Sequence, residues 1–169
     1  MLRRTFVRAG LGSVAVFAGC AAPPPKPLVV PDRELQISIV ADAALNLDPR
    51  NRPAPLVVRV YVLRAQVNFL AADFFALFER DQAALGNDML SREELQLRPG
   101  ESRRLTRELK PEARALGVFA AYRDLEGAVW RALAPLPEPP APTRTPPPGA
   151  IPVTVNIALG SRAVRIAAQ

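Results

Sequence analysis

The 169 residues contain no histidine and a single cysteine, Cys20. Without an imidazole there is no Ser-His-Asp triad and no histidine base. One cysteine forms no internal disulfide and, without histidine beside it, no zinc-type site. The nine glycines are dispersed and build no phosphate-cradling loop. No apolar run approaches the roughly 20 residues a membrane-spanning helix needs. Asp48, Asp73, Asp81, Glu93, Glu94 and Asp124 are the candidate acid–base carboxylates, and solvated turn positions account for them. Glu93 and Glu94 are also adjacent, so on a strand they face opposite sides. The chain is therefore read as a non-enzyme with no cofactor and no small-molecule substrate.

What the chain does contain begins at its start. Arg3, Arg4 and Arg8 precede an apolar stretch, Ala9 to Gly19, of secretory signal-peptide length. Phe17-Ala18-Gly19-Cys20 is similar to a bacterial lipobox, with Phe17 where leucine is usual. That pattern implies diacylglyceryl transfer to the Cys20 sulfur, cleavage before Cys20, and acylation of the new amino terminus, with palmitate-type chains. Several acyl chains are needed for stable anchoring, because one alone holds only marginally. Ala21, where an Asp would resemble an inner-membrane retention signal, favours outer-membrane sorting. Arg3-Arg4-Thr5-Phe6-Val7-Arg8 fits both the general secretory and the twin-arginine route.

The chain's formal charge is +6. Residues 1–19 form the signal peptide, and removing them leaves 19 basic against 16 acidic side chains, a balance of +3. No basic run marks a nucleic-acid footprint. Residues 20–32 hold Pro23, Pro24, Pro25, Pro27 and Pro31, a stiff extended tether behind the lipidated cysteine. Residues 33–169 are enough for one core, with 49% of the whole chain apolar. Eight prolines between Pro137 and Pro152 predict an exposed loop over 137–150. Both proline segments are read as spacers rather than baits for a polyproline-binding partner.

Between them the apolar period is mainly two. Leu35, Ile37, Ile39 and Ala41 alternate with Gln36, Ser38 and Val40. Leu56 to Leu63 is apolar on both faces except at Arg59, as in a central strand. Further strands are expected around Leu95 and Leu97, Leu105 and Leu109, Leu116 to Tyr122, Val129 to Leu133, Val153 to Leu159, and Val164 with Ile166. Short connections between them predict antiparallel pairing and a sandwich or barrel. Ser91-x-x-Glu94 is read as a turn entering a strand. One segment breaks the period: 71–85 is expected to be helical, with Leu70, Phe74, Leu77 and Phe78 on one face, Gly86 as its stop, and its aromatics capping one end of the core.

The ordered blocks "NLDPRNRPAPLVVRVYVLR", "FLAADFFALFERDQAALGNDML", "REELQLRPGESRRL" and "ALGVFAAYRDLEGAVWRALAPL" resemble the type VI secretion lipoproteins of the TssJ/SciN/VasD kind. That resemblance spans about residues 34 to 159. It implies a mainly β, transthyretin-like antiparallel β-sandwich with one inserted helical segment. It also implies an outer-membrane lipoprotein facing the periplasm that docks the periplasmic domain of a TssM-like inner-membrane protein. In this family the loop between the first two strands is implicated in docking. Here it runs from Asp42 to Pro55, making Asn46, Leu47, Asp48, Pro49, Arg50, Asn51 and Arg52 the partner-binding candidates. A solvated turn, with Asn46 and Asp48 capping local backbone, is the competing reading. Tyr122, Arg123, Asp124, Trp130 and Arg131 are read as a cation–π contact or ion pair between adjacent strands. A pilotin-like chaperone of another envelope assembly is the alternative function. A transthyretin-like hydrolase ranks third, because it would lean on histidines this chain lacks.

Overall fold

A computed structural model describes residues 25–168, so the signal segment and Cys20 lie outside the described residues. Eight strands form two four-stranded sheets. The first carries β1 (Arg33–Ala41), β4 (Ser102–Leu109), β7 (Ile151–Leu159) and β8 (Val164–Ala168), in the order β4-β1-β7-β8. The second carries β2 (Leu56–Leu63), β3 (Met89–Leu97), β5 (Ala115–Ala120) and β6 (Arg131–Pro135), in the order β3-β2-β5-β6. This is the expected antiparallel sandwich with one departure: β1 and β7 pair in parallel, Leu35 opposite Val153 and Ile39 opposite Ile157. The two are far apart in sequence, so no tight turn fixes their direction, and only the closed core does.

The alternation in β1 becomes inward Leu35, Ile37, Ile39 and Ala41, all buried, between half-exposed or exposed neighbours. They meet Val58, Val60 and Val62 of β2 and Val153, Val155 and Ile157 of β7 in the core between the sheets. β2 sits between β3 and β5, so both its edges are paired, while one face meets the other sheet. Its other face, with Tyr61 and Leu63, belongs to a second apolar cluster with Phe69, Leu77, Leu85, Ala115 and Phe119. Burying one such Phe or Leu side chain contributes about 1.5–3 kcal/mol.

That second cluster corrects the placement of the helical insertion. Two helices, α1 (Val67–Ala71) and α2 (Phe74–Leu85), lie between β2 and β3. They cover the outer face of the β3-β2-β5-β6 sheet instead of capping an end of the core. Phe69 rather than Leu70 points inward, fully buried against Tyr61 at a centroid distance of 5.9 Å, while Leu70 is exposed. Asp73 caps α2 by accepting from the Ala76 amide at 2.7 Å, so the helix expected over 71–85 starts at Phe74, and α1 precedes it as a second, unexpected helix. Gly117 of β5 makes the close approach possible, since a Cβ there would stand 3.0 Å from the Phe69 ring.

Two arginines tie the helices down. Arg59, the lone charge in β2, donates from Nη1 to the carbonyls of Leu77 and Phe78 at 2.7 and 2.8 Å. Those carbonyls serve the turn in which α2 leaves helical geometry, at Arg80. Arg131 donates to the carbonyls of Phe69, Leu70 and Ala72, closing the end of α1. Asp81 is buried, not solvated as expected, and accepts from the Tyr61 hydroxyl at 2.9 Å and from Arg92 at 3.0 Å. Ser91 and Glu94 lie within β3 rather than in a turn; Glu94 pairs with Arg59 at 2.6 Å. β5 ends at Ala120, short of Tyr122, and β6 starts at Arg131 rather than Val129.

The registers place the chain's landmarks at two poles. At one lie Arg33 with the tether before it, the Lys110–Arg114 turn and the proline loop after Leu136. There Arg33 donates to the carbonyls of Pro137 and Lys110, and Val29 bridges to Thr143. The opposite pole gathers the 42–55 loop, the Arg98–Glu101 turn, residues 121–130, and Gly160–Ala163.

Candidate functional site

The loop from Asp42 to Pro55 is an ordered structure of its own. Asn46 and Asn51 adopt positive φ of 51° and 58°, which asparagine tolerates better than most residues. The Asn46 side chain is buried at 5% exposure, donates to the Pro55 carbonyl at 2.9 Å and accepts from the Arg123 amide at 3.1 Å. Asp48, 6% exposed, accepts from the amides of Arg50 and Arg52 at 2.9 Å each and from the Arg52 guanidinium. Those bonds, led by the Arg52 amide, hold the Asp48 carboxyl below the usual carboxylate range. Its backbone closes the same turn, Asp48 N to the Arg52 carbonyl at 3.1 Å and Asn51 N to the Asp48 carbonyl at 2.9 Å.

The seven candidates therefore divide by position. Asn46 and Asp48 face inward as the frame: they bond local backbone, but buried rather than solvated, which corrects the expectation of a solvated Asp48. Leu47 is half-buried, its amide donating to the Ser161 carbonyl at 3.3 Å. Pro49, Arg50, Asn51 and Arg52 are exposed and, with Pro53, form the tip.

Residues 121–130 brace this frame. Arg123 donates to the carbonyls of Asn46 and Arg52 at 3.0 and 3.2 Å. Asp124 pairs with Arg162 at 3.1 Å. The buried Tyr122 hydroxyl reaches the Gly160 carbonyl at 3.2 Å, and burial pushes its pKa up. The cation–π contact is present but runs along one segment: Arg131 stands 4.9 Å from the ring of its neighbour Trp130. The sequence missed that Arg123 belongs to the loop, because nothing local links positions 77 residues apart. Among the described residues no group of three or more histidine, cysteine, aspartate or glutamate side chains could hold a metal ion. No helix among them is long and apolar enough to cross a membrane.

Two four-stranded sheets, with a polar loop ordered by its own hydrogen bonds at the pole opposite Arg33, define a β-sandwich of the transthyretin-like class. The type VI secretion lipoprotein family (VasD, EvfM, TssJ) matches residues 33–162. The T6SS lipoprotein TssJ1 from Pseudomonas aeruginosa is similar at 37% identity and a TM-score of 0.70, over 82% of this chain and 98% of that one. Serratia marcescens Lip, a membrane-bound component of the type VI secretion system, is 31% identical with a TM-score of 0.70, over 83% and 99% of the two chains. A chain in the structure described as the T6SS protein TssM C-terminal domain from EAEC is 25% identical, with a TM-score of 0.61 over 80% and 98%. No curated protein matches. This chain belongs to the type VI secretion lipoprotein family. The match takes in almost the whole of the two lipoproteins' solved chains, 98% and 99%.

Proposed function

We propose that this protein is the lipid-anchored structural component of the type VI trans-envelope complex. It holds the periplasmic domain of a TssM-like inner-membrane protein to the outer membrane and has no enzymatic role. Acylated Cys20 and the tether supply location. The tip of the 42–55 loop supplies the contact. The observation that carries this reading is the polarity of the fold: the tether enters at one pole and the loop stands at the other, turned away from the anchoring surface. The loop is also ordered in advance by Asn46, Asp48 and Arg123, which lowers the entropy lost on binding. Two similar chains belong to structures described as the TssM C-terminal domain and as a type VI membrane complex.

The test is a pull-down from envelope membranes with intact protein, Cys20→Ser, and the tip variant Arg50→Glu with Pro53→Ser. The intact protein captures one large inner-membrane protein with a periplasmic domain. The Cys20→Ser protein binds it in vitro, and the tip variant loses it while keeping its melting temperature. Equal capture by the tip variant overturns the assignment of the loop; capture of no such protein overturns the function.

A further inference from the structure

The sandwich is closed on one side and open on the other. On the β6/β8 side, Val129 and Ala163 bridge the two sheets. On the opposite side β3 and β4 are the edge strands, joined by the Arg98–Glu101 turn. Midway along each edge strand the apolar inward face is interrupted, and on β4 it resumes at buried Leu109. Inward Leu97 and Leu95 of β3 are followed by Glu93 and Ser91, and inward Leu105 of β4 by Arg107. A cavity of about 270 Å³ lies between the sheets there. Its walls are Leu35, Ile37, Val60, Val62 and Leu90, all but Leu90 buried core residues. Arg107 reaches across the mouth to Glu93 at 2.7 Å, and the exposed Lys110 stands at the rim. Lys110 enters no ion pair among the described residues; Glu93, already paired with Arg107, and Glu108 are the carboxylates of the lining.

An apolar slot with cations at its mouth matches an amphiphile better than a peptide. A peptide strand would pair along the open edges of β3 and β4, whereas the depth of the slot, between Leu35, Ile37, Val60 and Val62, accepts apolar groups only. The volume is near the lower end for small-ligand sites and suits one narrow chain. The slot also opens on the tether half of the sandwich, the half nearest lipid if Cys20 is acylated, a condition shared with the proposed function.

We propose that this slot binds the aliphatic chain of a fatty acid, with its carboxylate held at the mouth by Lys110 and Arg107. Inward charges on edge strands also discourage edge-to-edge pairing, but that role alone requires no ligand and no chain-length dependence.

The experiment titrates the sandwich, residues 25–169, with octanoate, decanoate and laurate below their micelle concentrations, following methyl NMR signals. Saturable shifts are expected at Leu35, Ile37, Val60, Val62 and Leu90, with affinity rising about fourfold per added methylene until the slot is full. Ser91→Trp, an exposed position on the cavity lining, abolishes the shifts. Lys110→Glu, a surface change that leaves the fold intact, weakens decanoate about tenfold and leaves decanol unchanged. Absent or non-saturating shifts overturn the proposal, as does equal loss of acid and alcohol in Lys110→Glu. The Ser91→Trp protein still captures the inner-membrane partner, so failure here is distinguishable from failure of the docking reading.

Discussion

Replacing Asp81 by alanine tests how the helices are held on the sheet. Asp81 accepts from Tyr61, Arg92 and, at 3.4 Å, Arg59. Its loss leaves the fully buried Tyr61 hydroxyl without an acceptor, which costs about 1–3 kcal/mol. Arg92, with 43% of its side chain exposed, returns to water and adds no more than about 0.5 kcal/mol. Arg59 is only 13% exposed but keeps Glu94 and two helix carbonyls, so its share is about 1 kcal/mol. The total is about 3 kcal/mol, a fall in melting temperature of about 10 °C for a domain of this size. Asp81→Asn keeps an acceptor for Tyr61 and loses about half as much.

The pH dependence gives a second check on the same residue. Burial alone would raise the Asp81 pKa, but hydrogen bonds from Arg92 and Tyr61, with the Arg92 and Arg59 charges, carry it below the usual value. A depressed carboxylate contributes its stability fully above the unfolded pKa, about 3.9, and loses it as pH falls through the folded pKa. The stability gap between wild type and Asp81→Asn, measured by urea unfolding, is therefore constant from pH 5 to 7 and narrows below about pH 4. A loss under about 1 kcal/mol in Asp81→Ala, or a gap that does not narrow in acid, refutes the reasoning.

Two further outcomes follow from the packing and from the loop. Gly117→Ala forces a methyl to 3.0 Å from the Phe69 ring and 3.2 Å from Leu63, and overpacking of this kind costs about 1–3 kcal/mol, read by thermal unfolding; a neutral result means α1 moves freely. Asn46→Ala removes the bonds to Pro55 and Arg123 and forces a positive φ on alanine, so partner capture falls severalfold while the slot still binds laurate; unchanged capture means the frame does not shape the tip.

The strands were legible because a half-buried strand writes its burial into alternate residues. Leu35, Ile37 and Ile39 face the core as their period requires, and β2 is apolar except at Arg59 because the core covers one face and the helices the other. The candidate loop was legible from the ordered family blocks and from its asparagines and prolines. Its inner division was not: Asn46 and Asp48 are frame and Arg50 is tip only because Arg123, Pro55 and Ser161 come to stand beside them.

By itself the sequence determined the positions of the proline-rich segments, the two-residue period, and the family. Each of these is carried by neighbouring residues or by blocks read in order. The tertiary structure decided what depends on distant parts meeting. It paired β1 in parallel with β7, laid α1 and α2 over a sheet face, and gave Arg59, alone among the apolar residues of β2, its helix carbonyls. It also set Glu93 of β3 opposite Arg107 of β4, two inward charges that interrupt the core faces of the edge strands and border the cavity. Local periodicity specifies which face of a strand is buried, and only the closed core specifies against what.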